Sequence, residues 1–190
     1  MNSDKLEKIL TTILLDNPSA THIVKSDRQR VARIRHLARY MLRKAKRKKG
    51  LFISDDGNGL AICYKVNVGD KKTFIDFIEE IGIAFKVIGY MRIPGILKRQ
   101  AYLKKQLPTD KPYYYFWFFG VNPEKRGAEN GSASELKQKV FDAAKNDGLP
   151  IYTETSIKKN KVVYQRYGFE IFHEWKMNER STMWFMKKEF

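Results

Sequence analysis

The sequence predicts a single domain of mixed α and β structure. Apolar residues recur at helical spacing between residues 3 and 48, whereas residues 113–121, YYYFWFFGV, form an aromatic run typical of a strand. From that run onward the pattern alternates strand, helix, strand, helix, strand, strand. Because 43% of the 190 residues are hydrophobic, the chain can bury a substantial core. We expect residues 1–190 to form one domain.

Hydrophobic periodicity, glycines and prolines divide the first half of the chain into four helices and one hairpin. The helix from Ser26 opens with a capping box completed by Gln29. The predicted helices span residues 3–15, 26–48, 71–88 and 94–106. The predicted hairpin strands span residues 51–54 and 60–66, around a glycine-rich turn.

The second half begins with seven consecutive aromatic residues, which cannot all face one side of a strand. A central strand buried on both faces accommodates them best. Ser132 and Glu135 fit a second capping box at the start of the next helix. The remaining elements are predicted as a helix to residue 146, a strand at 150–155, a helix at 157–167, and strands at 169–176 and 182–188.

Positive charge is concentrated in one predicted helix. The chain has a net charge of +16, and residues 25–49 hold twelve basic residues and one acid, Asp27. This segment indicates an anionic partner, such as nucleic acid, a membrane surface or a phosphorylated ligand. An ordinary solvated helix face explains the same pattern.

Targeting and metal-binding signals are not found in the sequence. The N-terminal residues alternate charged and apolar types without a signal-peptide pattern, and no apolar run has transmembrane length. The single cysteine, Cys63, cannot form an internal disulfide, and three scattered histidines make no metal-ligand cluster. We expect a cytoplasmic, metal-free protein.

Three segments occur in an order and spacing that resemble the GNAT superfamily of N-acetyltransferases. The segments are GVNPEKRGAENGS at 120–132, LPIYTETS at 149–156 and NKVVYQRYGFEI at 160–171. The first is a strand followed by a glycine-bearing loop and a helix, an arrangement that presents backbone N–H groups to phosphate. Upstream, Asp16-Asn17-Pro18 and the basic helix look like the start of bacterial members, although no strand precedes the first helix.

The resemblance implies a three-layer αβα fold with a central mixed, mostly antiparallel sheet. The sheet would be splayed between the strands at 113–121 and 150–155, and acetyl-CoA would enter the gap. Backbone groups of Phe119 and Val121 would pair with its pantetheine arm, and Asn160 would contact that arm. The backbone amides expected to bind its pyrophosphate belong to Arg126, Gly127, Ala128, Glu129, Asn130, Gly131 and Ser132.

Glu129 departs from the family pattern, because a glycine is expected at its position. A Cβ and a carboxylate near two phosphates should weaken binding through crowding and charge repulsion, unless the side chain turns outward. Lys125, Arg126 and Lys159 could offset the charge. We expect retained but weakened CoA binding.

Tyr164 matches the family tyrosine that protonates the departing thiolate, and it follows Asn160 by one helical turn. The alternative is a tyrosine that packs beneath the strand for structural reasons. Glu154, near the end of its strand, is the candidate general base, although a structural hydrogen-bond acceptor is equally compatible. His173 is a weaker candidate base, and Cys63 is assigned to the core.

The sequence therefore predicts an acetyl-CoA-dependent N-acetyltransferase with an unidentified amine acceptor. One alternative is a nucleic-acid-binding protein that uses the basic helix at 26–49. Another is a CoA-binding sensor with weak or no catalysis. The acyl-chain preference and the choice between monomer and homodimer stay open.

Overall fold

One six-stranded sheet forms the centre of the molecule. The computed structural model describes residues 2–69, 82–88, 93–127 and 131–190. The strands are β1 Leu51–Ile53, β2 Gly59–Val66, β3 Tyr113–Val121, β4 Ile151–Thr155, β5 Glu170–Asn178 and β6 Ser181–Lys188. Their order is β1-β2-β3-β4-β6-β5, and the β3–β4 pair is parallel whereas the other pairs are antiparallel. The predicted mixed, mostly antiparallel sheet is confirmed.

Helices cover both faces of this sheet. They are α1 Ser3–Leu15, α2 Pro18–Ile23, α3 Arg30–Arg47, α4 Ile93–Gln106, α5 Ser132–Asn146 and α6 Lys158–Arg166. A π-helical turn spans Ala84–Ile88 and a 3₁₀ turn spans Pro123–Lys125. The predicted helix at 71–88 lies mostly outside the described residues. None of the helices in the described ranges combines the length and the apolar character needed to cross a bilayer.

The predicted start of the basic helix at Ser26 was wrong. Helix α3 begins at Arg30, and its N-cap residue Gln29 makes no side-chain capping bond. Asp27 instead supports this end of the helix, because its Oδ1 accepts a 3.0 Å hydrogen bond from Gln29 N–H. Its carbonyl also accepts from the N–H of Arg30 at 2.9 Å. Aspartate supplies local acceptors at helix starts as readily as serine, so the capping residue was misassigned.

Two apolar clusters lie on opposite faces of the sheet. One cluster joins α1 and α3 to β2, with Leu10, Ile34 and Ile62 fully buried. The other joins α5 to β3, β4 and β6, with Leu136 and Ile151 fully buried. Strand β3 therefore lies between two cores, as its aromatic run predicts.

Helix α4 covers β5 on the face that lies opposite α5 and α6. Tyr102 of α4 stacks on Trp175, with ring centroids 4.0 Å apart. Trp175 pairs with Met183 of β6, whereas the neighbouring Trp184 belongs to the cluster under α5. Side chains alternate along a strand, so Trp175 and α4 share the face of α1 and α3.

A β-bulge interrupts β3 at its midpoint. Cys63 pairs with Phe116 and Ile62 pairs with Phe118, so Trp117 is an extra residue on β3. Trp117 and Phe118 consequently both contact the cluster under α1 and α3, although they are adjacent in the chain. Because a bulge bends its strand and increases its twist, β3 turns away from β4 beyond this point.

Candidate active site

The parallel strands β3 and β4 separate after only two paired residues. Tyr114 pairs with Ile151 and Tyr115 pairs with Tyr152, and backbone pairing between the two strands stops there. Beyond the last pair, the Thr153 hydroxyl donates a 3.0 Å hydrogen bond to the Phe116 carbonyl. A side chain therefore replaces the next ladder bond where the bulged strand leaves its neighbour. The opening that follows is called the β3/β4 gap below.

A cavity of about 70 Å³ lies beside this gap, between β3, α5 and α6. Its wall is mostly aromatic, with one cationic and one amide side chain. The lining residues are Phe116, Phe119, Lys137, Asn160, Val163, Tyr164 and Tyr167. The cavity therefore combines an apolar surface with polar groups that can orient a ligand.

Tyr164 reaches the cavity from α6. Its ring contacts Phe116 and Phe169, with centroids 6.0 and 5.5 Å away. Burial raises the pKa of Tyr164 to about 12, and the charge of Glu154 contributes to the rise whereas the Thr153 hydroxyl opposes it. The phenol is therefore protonated at neutral pH and can act as a donor.

Glu154 lies on the opposite face of β4 from the cavity. It pairs with Phe185, whereas its neighbours Thr153 and Thr155 pair with residues of the cluster under α5. Burial raises the pKa of Glu154, against the opposing effects of the Tyr115 hydrogen bond and the charge of Arg99. Glu154 is thus a buried carboxyl group with increased proton affinity, as a general base requires.

Tyr115 fixes the orientation of this carboxyl group. Its hydroxyl donates a 2.7 Å hydrogen bond to Glu154 Oε1. The second oxygen, Oε2, is buried and has no hydrogen-bond partner. Tyr164 and Glu154 therefore approach the β3/β4 gap from opposite faces of the sheet.

One match to a curated sequence covers a short segment of the chain. No protein-family model matches the chain. An uncharacterised N-acetyltransferase of Schizosaccharomyces pombe is 32% identical over 60 residues, which is 32% of this chain and 24% of the yeast protein. The match therefore spans about a quarter of that curated relative.

Similarity to solved structures covers nearly the whole chain. Arylalkylamine N-acetyltransferase 2 from Aedes aegypti superposes with a TM-score of 0.64 at 17% identity, covering 98% of this chain and 93% of the mosquito chain. The NatC complex bound to Gag peptide and CoA gives a TM-score of 0.56 at 12% identity, covering 100% and 92%. This chain has the GNAT acetyltransferase fold.

Within the GNAT fold, the loop expected to bind pyrophosphate is described at its two ends. Ala128, Glu129 and Asn130 lie outside the described residues. Arg126 is turned toward α1, because its Nη1 contacts Asp16 Oδ2 at 2.5 Å and its Nε donates to the Val121 carbonyl at 3.2 Å. The Arg126 side chain is therefore bound within the chain and does not extend into the cavity.

The far end of this loop is the N-terminus of α5. Gly131 is the N-cap residue and has a φ of +58°, a left-handed conformation that favours glycine. Gly127, which is exposed, has open space where a Cβ would stand. In the described part of the loop, Gly131 therefore requires glycine because of its backbone conformation, whereas Gly127 has room for a side chain.

The predicted capping box of Ser132 and Glu135 was wrong. Ser132 is the first residue of α5, and its hydroxyl donates a 2.7 Å hydrogen bond to Asp56 Oδ2. Glu135 Oε1 accepts a 2.8 Å hydrogen bond from the N–H of Asp55. Both side chains bind the β1–β2 turn instead of each other, because the hairpin packs against this end of α5.

Of the remaining predicted residues, Phe119, Val121 and Asn160 lie at or near the gap, whereas His173 does not. Phe119 and Asn160 line the cavity together with Tyr164. Val121 is the last residue of β3, and its carbonyl is bound by Arg126. His173 lies apart, on β5, where its Nε2 is 2.8 Å from the Tyr102 hydroxyl.

Sequence reasoning missed several groups at the gap. Lys137, Val163 and Tyr167 line the cavity, and Val163 and Tyr167 belong to the helix whose Asn160 and Tyr164 the motif identified. Tyr115 was not singled out because it lies within the aromatic run. Strand alternation places its side chain on the face of the sheet opposite Phe116. No sequence pattern pointed to Arg99 as a site residue, because α4 contains no recognisable motif.

The basic helix α3 uses part of its charge inside the molecule. Arg33 binds Asp27 with a shortest distance of 2.8 Å. Arg39 contacts Glu7 at 2.7 Å, and Arg35 contacts the same carboxylate at 3.8 Å. These contacts join α3 to α1 and to the segment that precedes it, so the basic character has a structural role.

Proposed function

We propose that this chain is an acetyl-CoA-dependent N-acetyltransferase that transfers an acetyl group directly to an amine. The observation that supports this most strongly is the β3/β4 gap, which has Tyr164 on one face and Glu154 on the other. Acyl transfer to an amine needs a group that takes a proton from the amine and a group that stabilises the departing thiolate. The two residues match these requirements.

The structural neighbours support the same class of reaction. One is named as an arylalkylamine N-acetyltransferase, and another was solved with CoA and a peptide. Their superposition on nearly the whole chain makes a CoA thioester the first cosubstrate to test. Cytoplasmic location and similarity to bacterial members stay predictions from the sequence.

The gap fits an extended thioester arm. Beyond Phe116, β3 has no strand partner on the side of β4, so its edge can pair with an extended ligand. Phe116 and Phe119 supply an apolar wall, and Asn160 supplies an amide that can bind a polar group of the arm. The N-terminus of α5, beside the loop at 126–131, offers the positive end of a helix dipole to phosphate.

The residues of the gap account for the protons of the reaction. Glu154 accepts a proton from the attacking amine, so that the nitrogen can form the new C–N bond. The C–S bond of the thioester then breaks, and the Tyr164 hydroxyl donates to the departing sulfur. Glu154 then releases its proton to water and Tyr164 takes one from water, so both groups return to their starting forms. Acetyl-CoA supplies the activated acetyl group, and no covalent bond to the enzyme forms.

The test is release of free CoA from acetyl-CoA in the presence of a panel of primary amines. Monoamines, diamines, amino acids and short peptides should be included, and the acetylated product should be identified by mass. We expect turnover on at least one class, with a strong decrease in the Tyr164→Phe variant. If acetyl-CoA binds but no amine is acetylated, the CoA-binding sensor replaces the enzyme. If nucleic acid binds and acetyl-CoA does not, the nucleic-acid-binding alternative is favoured.

A further inference from the structure

On the sheet face covered by α4, two buried atoms from side chains of opposite charge have no hydrogen-bond partner. They are Glu154 Oε2 on β4 and Arg99 Nε on α4. In the part of the chain that the structure describes, a third such atom, Arg30 Nε, belongs to α3. A buried polar atom without a partner costs free energy, and a ligand that binds both Glu154 Oε2 and Arg99 Nε would remove that cost.

Arg99 and Glu154 lie on the same side of the sheet without forming a direct ion pair. Helix α4 covers the sheet face toward which Glu154 points. The charge of Arg99 acts on the Glu154 carboxyl group, yet no N···O contact within 4.0 Å joins these two described residues. The two groups therefore share one face of the sheet without satisfying each other, so a molecule with two opposite charges on that face can bind both.

We infer that the acceptor is a free α-amino acid, whose amino group binds Glu154 and whose carboxylate binds Arg99. This inference rests on the proposed function, because it assigns the substrate of the same gap. An α-amino acid presents an ammonium and a carboxylate on one carbon, so both unpartnered atoms gain a charged partner at once. A simple amine leaves Arg99 unpartnered.

The proton transfer in the proposed reaction is compatible with this placement. The amino group arrives as an ammonium and donates one proton to the Glu154 carboxylate, which releases it to water. The neutral amine then attacks the thioester carbonyl, and Glu154 accepts the second proton of the nitrogen while Tyr164 protonates the departing sulfur. Arg99 keeps its charge throughout, because the guanidinium pKa lies far above neutral pH. It is therefore a substrate-binding residue, and it takes no part in proton transfer.

Aromatic rings on the same face favour an apolar or aromatic side chain on the amino acid. Tyr64 contacts Tyr115 and Trp117 edge to face, with centroids 5.8 and 6.1 Å apart. Tyr115 is the residue that fixes Glu154, so these rings adjoin the proposed ammonium position. L-phenylalanine is therefore the first acceptor to test.

The experiment compares kcat/KM for three acceptors that differ only at the carboxylate. They are L-phenylalanine, L-phenylalanine amide and 2-phenylethylamine, assayed with saturating acetyl-CoA. We expect the wild-type protein to prefer the amino acid at least about tenfold over each of the others, because a hydrogen bond to a charged group contributes that much or more. Equal use of 2-phenylethylamine would overturn the inference, and equal use of the amide would replace it with a peptide-type acceptor.

The matched variants are Arg99→Met and Lys98→Met. Lys98 is exposed on the same helix, so its variant removes the same charge without reaching the gap. We expect Arg99→Met to lower kcat/KM for L-phenylalanine by about 10- to 100-fold and to change that for 2-phenylethylamine by less than about threefold. Lys98→Met should match the wild type. Equal losses for all acceptors in Arg99→Met would contradict the assignment.

A binding measurement separates this inference from the proposed function. Thermal unfolding with L-phenylalanine should show a higher Tm for the wild type and no increase for Arg99→Met. If that difference appears without any turnover, the amino-acid site stands and the acetyltransferase proposal fails. If other amines are acetylated while L-phenylalanine is neither bound nor acetylated, the acetyltransferase stands and the amino-acid site fails.

Discussion

Tyr115 Oη lies 2.7 Å from Glu154 Oε1, and this hydrogen bond joins β3 to β4 where the two strands separate. Tyr115 belongs to the last pair of the parallel ladder, and Glu154 lies two residues beyond it on β4. The bond therefore holds the carboxyl group at the mouth of the gap while leaving Oε2 for a ligand. The proposed chemistry depends on this arrangement.

The Tyr164→Phe substitution removes the proposed proton donor and keeps the ring. We expect kcat to fall by about 100-fold or more, which is the usual contribution of a positioned general acid. Binding of acetyl-CoA should be retained, since the ring still packs against Phe116. Steady-state kinetics together with a CoA-dependent Tm shift measures both. Unchanged kcat would assign Tyr164 a purely structural role.

The Glu154→Gln substitution removes the proposed base and keeps its shape. We expect kcat/KM to fall by about 100- to 1,000-fold. In the wild type, kcat/KM should rise with pH through the pKa of Glu154, which burial places above its ordinary value of 4.5. Rates measured between pH 5 and 9 test this. If kcat/KM of Glu154→Gln rose with pH in the same way, the base would be another group.

Stability provides a second readout for Glu154. Because its pKa is raised in the folded protein, the protonated form is favoured on folding, and this stabilisation is lost as pH rises through the folded pKa. As pH rises from 4.5, the wild type should therefore lose stability relative to Glu154→Gln, measured as the free energy of unfolding. Denaturant titrations at several pH values measure it. A difference that is constant with pH would indicate an ordinary carboxyl group.

The Asp56→Asn substitution tests the link between the hairpin and α5. Asp56 accepts hydrogen bonds from Ser132 Oγ at 2.7 Å and from Asn58 N–H at 2.9 Å, in addition to Ser54. We expect the variant to lose about 1–2 kcal/mol of stability. The neighbouring Asp55→Asn is the control, because Asp55 makes an exposed ion pair with Lys139 and should change stability by less than about 1 kcal/mol.

The effect of Asp56 should depend on pH. The hydrogen bond from Ser54, together with those from Asn58 and Ser132, lowers the pKa of Asp56 well below its ordinary value of 3.8. The carboxylate therefore stabilises the fold above pH 3.8, and this contribution is lost as pH falls toward the folded pKa. Wild type and Asp56→Asn should converge in stability at low pH. Parallel curves would show that the carboxylate charge is not involved.

The Gly120→Ala substitution tests how closely α1 packs on the end of β3. A Cβ at Gly120 would collide with Ile13 Cγ2 and meet the Phe118 ring at 3.1 Å. We expect a loss of about 1–3 kcal/mol from overpacking. The double variant with Ile13→Ala should show a smaller loss than the sum of the single variants, because the collision is removed. Additive losses would locate the strain elsewhere.

Much of the fold followed from sequence because local signals agreed with tertiary structure. The aromatic run at 113–119 requires two buried faces, and β3 has them. The bulge at Trp117 was not predicted, since an extra residue in a ladder is visible only against the partner strand. The capping residues of α3 and α5 were misassigned because serine, aspartate and glycine all serve at helix starts.

The candidate site was predictable where a motif fixed the spacing of its residues. Asn160 and Tyr164 lie one turn apart on α6, so one helix places both at the cavity. Arg99 could not be found in this way, because the contact of Tyr102 with Trp175 places α4 over the sheet. That contact joins residues far apart in the chain, and neither residue has a distinctive sequence environment.

The most direct test of the account is thermal unfolding with and without acetyl-CoA for the wild type and two tryptophan variants of α6. Val163→Trp fills the cavity, whereas Val162→Trp introduces the same side chain at the neighbouring, exposed position. Acetyl-CoA at a hundred times its Kd should stabilise the wild type and Val162→Trp by about 2.7 kcal/mol and leave Val163→Trp unchanged. No change of the wild-type Tm at millimolar acetyl-CoA, or an equal increase in Val163→Trp, would contradict binding in the β3/β4 gap.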